Sequence, residues 1–365
     1  MTVAIGDANA TRASRRTLLS NLLFGTRFVT IWIAAAVLLV LCRVIAPSTL
    51  SSASWASLLP LGSVVAVVAL GQMLVIMMGG IDLSMGATIS LSANVLVGVS
   101  RGADDDLARA IFYVLLVAAV IGLVNGFLIA VFELNPLIVT LSTSLIVLGI
   151  NTEYRASTVN NSTVPDLLSD FVFEKVFGIS KTFWFVVVLT LVLGMILRST
   201  TVGRRFQAVG ANRRAAWMAG IRVPLYVIGA YVAASLFGGV AAIFVGGIVV
   251  SPGVDPGAAY LLGPVAAVVL GGAALSGGLA SPASTWVAAF FVSLLNQMLK
   301  VLGLTNASQF VVFGAAIVVG MLISGDRIAE LIGRLLLRPS LRKYIDADDP
   351  GPRATAAPPI GRGTG

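Results

Sequence analysis

The stretch that decides the fold is an apolar run at residues 58–78, LLPLGSVVAVVALGQMLVIMM, which is followed at once by the sequence GGIDLSMG at 79–86. A helix of about 20 apolar residues is long enough to cross the hydrocarbon core of a bilayer. Backbone that leaves a helix at membrane depth must be surrounded by protein or by a water-filled cavity. The run therefore predicts a membrane-spanning helix, and the glycine-containing break predicts a turn that lines a pathway.

Comparable apolar stretches recur along the 365-residue chain, of which 58% is hydrophobic and only 11% is charged. Soluble domains contain about 25% charged residues. The sequence therefore predicts an all-α membrane protein of about ten transmembrane helices, several of them short or broken by Gly and Pro. The predicted spans are 28–46, 58–78, 83–100, 110–132, 137–150, 182–197, 225–249, 261–280, 284–302 and 307–323.

Basic residues indicate how these spans are oriented, because cytoplasmic loops are enriched in Lys and Arg. An N-terminal tail at 1–26 and a C-terminal tail at 325–365 are both basic, and the loop 198–224 contains several arginines and no acidic residue. We therefore expect both termini and this loop in the cytoplasm. The transmembrane domain is 27–324, its main outer loop is 151–181, and the C-terminal tail is expected to be partly disordered.

Several functional classes are excluded by what the sequence lacks. It contains no histidine, and its single cysteine is Cys42. Hydrolytic triads built on histidine and cysteine-rich metal clusters are therefore ruled out, and no phosphate-binding G-x-x-x-x-G-K-[ST] motif occurs. We expect no enzymatic activity, metal or cofactor. Because the basic residues are placed as topology signals, the net charge of +8 does not indicate nucleic acid binding.

Ion-coupled transporters usually carry ionisable side chains within the membrane. The candidates here are Asp82, Glu133, Arg43 and Lys300, all near the ends of predicted spans. This placement favours a transporter that is powered from outside the chain. An ion-coupled secondary transporter and a structural scaffold are the alternatives, although a scaffold has no need of glycine-broken helices.

The break at 79–86 has two interpretations. In the structural one, Gly79 and Gly80 permit a tight turn, and Asp82 and Ser84 satisfy amides at the start of the next helix. In the functional one, that helix start points into the solute path. A second copy of the pattern G-G-x-x-L-S-x-G occurs at 271–278, which indicates either an internal repeat or chance similarity in a Gly-rich and Leu-rich chain.

The arginine-rich loop contains a predicted short helix at 213–219. Asn212 can cap its start and Gly220 can end it. Trp217 and Met218 would then form an exposed apolar knob. Such a helix suits docking into a groove of a partner protein, and the alternative is a connector held near anionic lipid by its arginines. The residues alone favour neither interpretation.

Four blocks, in this order, resemble the permease subunit of ribose/xylose/arabinose-type ATP-binding-cassette sugar importers, and the resemblance covers most of residues 58–323. They are Gly-Ile-Asp-Leu-Ser at 80–84 with Gly86; Asn-Gly at 125–126 with Asn-Pro-Leu-Ile-Val-Thr-Leu at 135–141; Thr-Val-Gly-Arg at 201–204 with Ala-Val-Gly-Ala-Asn at 208–212; and Ala-Ala-Val-Val-Leu-Gly-Gly at 266–272 with Leu-Ser-Gly-Gly at 275–278.

The resemblance implies a multi-pass subunit of the bacterial inner (plasma) membrane that imports a small polar solute, with a monosaccharide as the expected one. Its implied partners are a cytoplasmic ATPase, a periplasmic or lipid-anchored solute-binding protein, membrane lipid and a second permease that forms a homodimer or heterodimer with it. The implied ATPase-coupling residues are Gly203, Arg204, Gly210, Asn212, Arg213, Ala216 and Gly220. The implied translocation-pathway residues are Gly79, Gly80, Asp82, Ser84, Asn125, Asn135, Thr140, Gly271, Gly272 and Ser276.

Three stretches depart from that family's pattern. The outer loop lacks the usual Gly-x-Pro-type start near Tyr154. Residues 261–264 are Leu-Leu-Gly-Pro where an acidic E-L-D-like stretch is usual, and 273–274 are Ala-Ala where Thr-Ser is usual. These differences concern the solute rather than the coupling loop. A related permease for branched-chain amino acids or nucleosides is therefore a further alternative.

Overall fold

A computed structural model describes residues 28–158 and 162–305, together with 307–308, 311–312, 314–315 and 318. The predicted tails 1–26 and 325–365 lie outside these residues, as does most of the predicted span 307–323. Helices account for nearly all of the regular structure in the described part, which is all-α as predicted.

Twelve helices follow one another in the described part of the chain. They are α1 (Phe28–Ile45), α2 (Ser52–Met77), α3 (Met85–Ser100), α4 (Leu107–Val131), α5 (Pro136–Thr158), α6 (Asp166–Phe173), α7 (Lys181–Ser199), α8 (Thr201–Ala211), α9 (Arg213–Met218), α10 (Val223–Val249), α11 (Leu262–Leu270) and α12 (Pro282–Val301). Short 3₁₀ turns lie at Pro47–Leu50, Asp104–Asp106 and Ala258–Tyr260. The strands β1 (Lys175–Val176) and β2 (Ile179–Ser180) pair antiparallel, with Lys175 opposite Ser180.

Six helices in the described residues are long and apolar enough to cross a membrane: α1, α2, α4 with its preceding 3₁₀ turn, α5, α7 and α10. Helix α3 and the segment Ala258–Leu270 are apolar but shorter. Every residue of α3 except Val99 is buried, and most of α2 is buried as well. These two helices form the centre of the bundle, with α10 packed against both.

Polar side chains explain where several helices begin. Ser51, Ser180, Thr200, Asn212 and Ser281 each accept a hydrogen bond from the backbone amide three residues later, at the starts of α2, α7, α8, α9 and α12. These bonds satisfy amides that have no partner within the first helical turn. The sequence therefore sets these starts locally.

Three predicted boundaries need correction. The predicted span 261–280 is not one helix, because α11 ends at Leu270 and irregular backbone follows up to α12. The predicted span 137–150 is too short, since α5 continues to Thr158, and the stretch between α5 and α7 contains α6 and the β hairpin. The loop 198–224 is itself mostly helical and comprises α8 and α9.

Contacts between segments define the two ends of the bundle. The Ser284 hydroxyl donates to the Phe28 carbonyl at 3.4 Å, which places the starts of α1 and α12 together. The end of α2 lies at this same end, against α8 and α9, and we call it the α8–α9 end. At the opposite end, the Val164 amide donates to the Val250 carbonyl at 2.9 Å.

Candidate functional site

The first break begins with a tight cap on α2. The Gly79 amide donates to the Ile76 carbonyl and the Gly80 amide donates to the Val75 carbonyl, at 2.9 and 3.1 Å. Gly79 has φ +75°, a conformation that glycine adopts without steric cost. These bonds form a Schellman motif, which stops the helix. Gly80 serves close packing, because a Cβ there would overlap the Tyr231 hydroxyl.

Asp82 organises the residues after this cap. Its Oδ1 accepts from both the amide and the hydroxyl of Ser84, at 2.8 and 2.6 Å. The Asn125 side-chain amide of α4 donates to the same hydroxyl at 2.8 Å. Asp82 is 1% exposed, and Ser84 and Asn125 are fully buried. The three predicted pathway residues therefore form one polar cluster that is closed to solvent, in which Asp82 satisfies an amide as the structural interpretation expected.

Thr140 joins this break to α5, whereas Asn135 has a local role. The Thr140 hydroxyl accepts from the Leu83 amide at 3.1 Å and donates to the Pro136 carbonyl at 2.9 Å. Asn135 is exposed, and its Oδ1 accepts from the Leu137 amide at 2.9 Å. Thr140 thus lies beside the cluster, while Asn135 caps the start of α5.

The second break uses the same cap. The Gly272 amide donates to the Val269 carbonyl at 3.0 Å, the Ala273 amide donates to the Val268 carbonyl at 3.2 Å, and Gly272 has φ +85°. The repeated sequence pattern aligns Gly79 with Gly271, but the two caps align Gly79 with Gly272. The two breaks therefore share a helix-ending motif. In the second break, this motif lies one residue later than the repeated pattern G-G-x-x-L-S-x-G would place it.

The two breaks meet at the α8–α9 end. The Gly278 amide donates to the Met77 carbonyl at 2.9 Å. The Ser276 carbonyl lies 3.7 Å from where a Cβ of Gly79 would stand. Gly271 is buried against α12, since a Cβ there would lie 3.0 Å from the Cα of Thr285. The structure thus brings two breaks that are far apart in the sequence into direct backbone contact.

Helix α8 packs on both breaks. A Cβ on Gly210 would overlap the Met77 carbonyl oxygen and lie 2.9 Å from the Gly278 amide nitrogen. A Cβ on Gly278 would lie 2.8 Å from the Cα of Ala211. The backbones of α8, the end of α2 and the segment around Gly278 therefore pack directly against one another, with no side chain between them.

The corner between α7 and α8 is equally tight. A Cβ on Gly203 would overlap the backbone of Ile196 and Leu197 at the end of α7. The Gly203 amide donates to the Thr200 hydroxyl at 3.0 Å, which caps α8. Arg204 is exposed, and its guanidinium donates to the Ser199 carbonyl at 3.3 Å. Helix α8 is thereby fixed to α7 as well as to the two breaks.

The predicted short helix is present as α9. The Ala215 amide donates to the Asn212 side chain at 3.0 Å, and Gly220, at φ +76°, ends the helix in a Schellman motif. Trp217 and Met218 are 72% and 80% exposed. The expected capped helix with an exposed apolar knob is therefore confirmed in its geometry.

Arg213 and Ala216 attach α9 to the bundle. The Arg213 guanidinium donates to the Met78 carbonyl at 2.7 Å, directly at the cap of α2. Ala216, on the same helix, is buried. All seven predicted coupling residues thus lie in α8, α9 or their caps, and four of them contact the helix breaks or the end of α7 directly.

A polar network toward the opposite end was not predicted from the sequence. The side-chain amide of Asn94 in α3 donates to Asn151 in α5 at 2.9 Å, and Arg155 donates to Asn94 at 2.9 Å. Asn94 and Asn151 are fully buried. Two asparagines within apolar helices were the available signal, because buried polar groups in membranes tend to be functional.

This network also holds the segment between α10 and α11. The Asn151 amide donates to the Val254 carbonyl at 2.5 Å, and the Ser90 hydroxyl donates to Asp255 at 2.6 Å. The Gly257 amide donates to Ser90 at 2.9 Å. The segment 251–257 is thereby bonded to both α3 and α5.

The polar groups of these sites are mainly uncharged side chains and backbone groups. Within the described residues, no cluster of three or more His, Cys, Asp or Glu side chains could hold a metal ion. The sites offer amides, hydroxyls and backbone groups, which can hydrogen-bond a polar solute.

Comparison with known proteins agrees with this architecture. A family model described as the branched-chain amino acid transport system / permease component matches residues 54–322. No solved structure shows a significant match.

Several curated relatives are import permeases. The ribose import permease protein of Haemophilus influenzae is 28% identical over 80% of this chain and 91% of its own length. A probable ATP-binding-cassette transporter permease of Sinorhizobium fredii is 31% identical over 78% of this chain and 84% of its own length. The autoinducer 2 import system permease protein LsrD of Photorhabdus luminescens is 30% identical over 70% of this chain and 78% of its own length.

The predicted family resemblance is therefore confirmed. The family model covers most of the chain, and the described helices include six that are able to span a membrane. The chain belongs to the family of the branched-chain amino acid transport system / permease component, as a non-enzymatic, multi-pass permease subunit of an ATP-binding-cassette importer in the inner membrane.

Proposed function

We propose that this subunit carries a small polar solute, expected to be a monosaccharide, through a pathway that is opened and closed by a partner ATPase acting on α8 and α9. The observation that carries the proposal is the direct backbone contact of Gly210 with Met77 and Gly278. Both helix breaks therefore respond to any displacement of α8.

The mechanism is alternating access. Closure of two ATPases around ATP moves α8 and α9, and this movement passes to the caps of α2 and α11. Backbone contacts without intervening side chains transmit such a displacement efficiently, because close-packed interiors have low compressibility. Solute would then cross between two permease copies, near Asp82 and the segment 271–278. The second copy would be either the same chain, in a homodimer, or a paralogue, in a heterodimer.

The ATPase contact is proposed at α9. Trp217 and Met218 are exposed there, and large apolar side chains of this kind are typical anchors of protein interfaces. Arg213, on the same helix, holds the α2 cap through the Met78 carbonyl. A partner bound to the knob thus has a short path to the first break.

The proposed topology is ten spans with both termini in the cytoplasm. The contact of Phe28 with Ser284 supports it, because it puts the start of α1 at the same end as α8 and α9. We further propose that 27–324 is the permease domain, that 198–224 is the cytoplasmic coupling segment and that 151–181 faces the periplasm. The flanking tails, 1–26 and 325–365, would both be cytoplasmic.

The solute assignment rests on the relatives. Their names include ribose, galactose/methyl galactoside and autoinducer 2 import. Arg155, which is partly exposed beside the buried Asn94, has further guanidinium N–H groups that could donate to sugar hydroxyl oxygens. A branched-chain amino acid is the second candidate, since the family description names it. Selectivity would lie mainly with a periplasmic or lipid-anchored binding protein.

A mild-detergent pull-down of the tagged chain from its native membrane tests this proposal, with partners identified by mass spectrometry. We expect a P-loop ATPase and an exported solute-binding protein, and the ligand of the latter would identify the solute. Recovery of the chain without either partner, also after crosslinking, would favour an ion-coupled secondary transporter instead.

A further inference from the structure

A large apolar cavity lies beside the coupling helix α8. It has a volume of about 610 Å³ and is lined by apolar side chains of α7 and α10 together with Val202, Gly203 and Phe206 of α8. Its lining residues on α10 run from Leu225 to Phe237. At 1.5 Å per residue this is about 18 Å, close to the thickness of one leaflet of a hydrocarbon core of about 30 Å.

A second cavity, of mixed polar and apolar lining, adjoins the first at the α8–α9 end. It has a volume of about 420 Å³ and includes the arginines Arg205 and Arg222. Leu225 and Tyr226 line both cavities, which makes them neighbours. Among the described residues, neither arginine forms an ion pair with an acidic side chain. A leaflet-long apolar space thus ends beside two cationic groups that have no acidic partner within the described part of the chain.

We propose that the paired cavities bind one anionic phospholipid, with an acyl chain between α7 and α10 and the phosphate between Arg205 and Arg222. Basic pockets between transmembrane helices on the cytoplasmic side suit anionic head groups. The occupant would contact Phe206 of α8 directly, so the lipid would also influence the position of the coupling helix. This site goes beyond the transport function proposed above.

Gly229 permits a direct test of the acyl-chain part. It lines the apolar cavity, and a Cβ there would meet no atom within 4 Å. Gly229→Phe should therefore fill the cavity without a backbone clash. Gly194→Phe is the matched control, because it places the same side chain on α7, also in open space but outside the cavity lining.

The full chain, purified with its partners, would be incubated with equal amounts of phosphatidylglycerol and phosphatidylcholine, and bound lipid would be counted by native mass spectrometry. We expect one retained phosphatidylglycerol per copy in the unmodified chain and in Gly194→Phe, and loss of it in Gly229→Phe. The double variant Arg205→Gln/Arg222→Gln should lower the preference for phosphatidylglycerol about twenty-five-fold, at about fivefold for each arginine. Arg214→Gln, an exposed arginine outside both cavities, should leave it unchanged.

The proposal would be overturned if the Gly229→Phe and double-arginine variants retained as much phosphatidylglycerol as the unmodified chain. Disulfide-linked copies in a Gly229→Cys variant would also overturn it, because the cavity would then be an interface between two permeases. The native Cys42 is buried and would not interfere. None of these measurements depends on transport, so their outcome is separate from that of the importer proposal.

Discussion

The backbone amide of Gly278 donates a hydrogen bond to the carbonyl oxygen of Met77 over 2.9 Å. This bond joins the break after α11 to the C-terminal end of α2. The Met77 carbonyl is also the atom on which Gly210 of α8 packs. One carbonyl group is therefore shared by the coupling segment and both helix breaks, and it is the point at which we expect movement of α8 to enter the pathway.

Gly210→Ala tests this contact. A methyl group there would overlap the Met77 carbonyl, and overpacking of this kind costs about 1–3 kcal/mol. We expect normal insertion into the membrane and a loss of most solute uptake, measured with radiolabelled solute in membranes containing matched amounts of protein. Gly149→Ala, where a Cβ meets no atom within 4 Å, is the control and should transport normally. Equal uptake by both variants would contradict the proposed role of Gly210.

Local sequence features predicted much of this architecture. The apolar run at 58–78 corresponds to α2, and the glycines that follow end that helix as expected. Asn212 and Gly220 delimit α9 at the predicted positions. Caps and apolar length depend on neighbouring residues, which explains why the sequence alone reveals them.

Features that depend on distant residues were not predictable in the same way. Hydropathy continues past Leu270, so the predicted span 261–280 missed the cap at Gly272 that ends α11. The close approach of Gly210 to Met77 joins residues far apart in the chain, and no local pattern encodes it. The bond between Asn94 and Asn151 escaped prediction for the same reason.

Arg213→Gln tests the link between α9 and the first break. The guanidinium bond to the Met78 carbonyl is charge-assisted, and such bonds contribute about 1.5–3 kcal/mol. We expect ATP hydrolysis by the partner to continue while solute uptake per ATP falls about tenfold or more, measured in reconstituted vesicles. Arg214→Gln removes a neighbouring, exposed charge and should leave the ratio unchanged. A similar ratio in both variants would mean that Arg213 acts only as a surface charge.

Two substitutions separate the contribution of the Asp82 charge from that of its hydrogen bonds. Asp82→Asn retains an oxygen that can accept from the Ser84 amide, whereas Asp82→Ala leaves that buried amide and the Ser84 hydroxyl without this acceptor. We therefore expect Asp82→Ala to lose about 1–3 kcal/mol of stability and Asp82→Asn to lose less than about 1 kcal/mol. Thermal unfolding of the purified chain in detergent measures both. Equal destabilisation would show that the negative charge, rather than the bonds to Ser84, holds the start of α3.

The central claim is that the exposed knob of α9 contacts the ATPase, and site-directed crosslinking tests it most directly. A thiol-anchored photocrosslinker would be attached to Trp217→Cys, or to Phe177→Cys in the β hairpin as the matched control, since Phe177 is 93% exposed and lies toward the opposite end of the bundle. In native membranes we predict an adduct with a P-loop ATPase from position 217 and none from position 177. An ATPase adduct at position 177, or no ATPase adduct at position 217, would contradict the account.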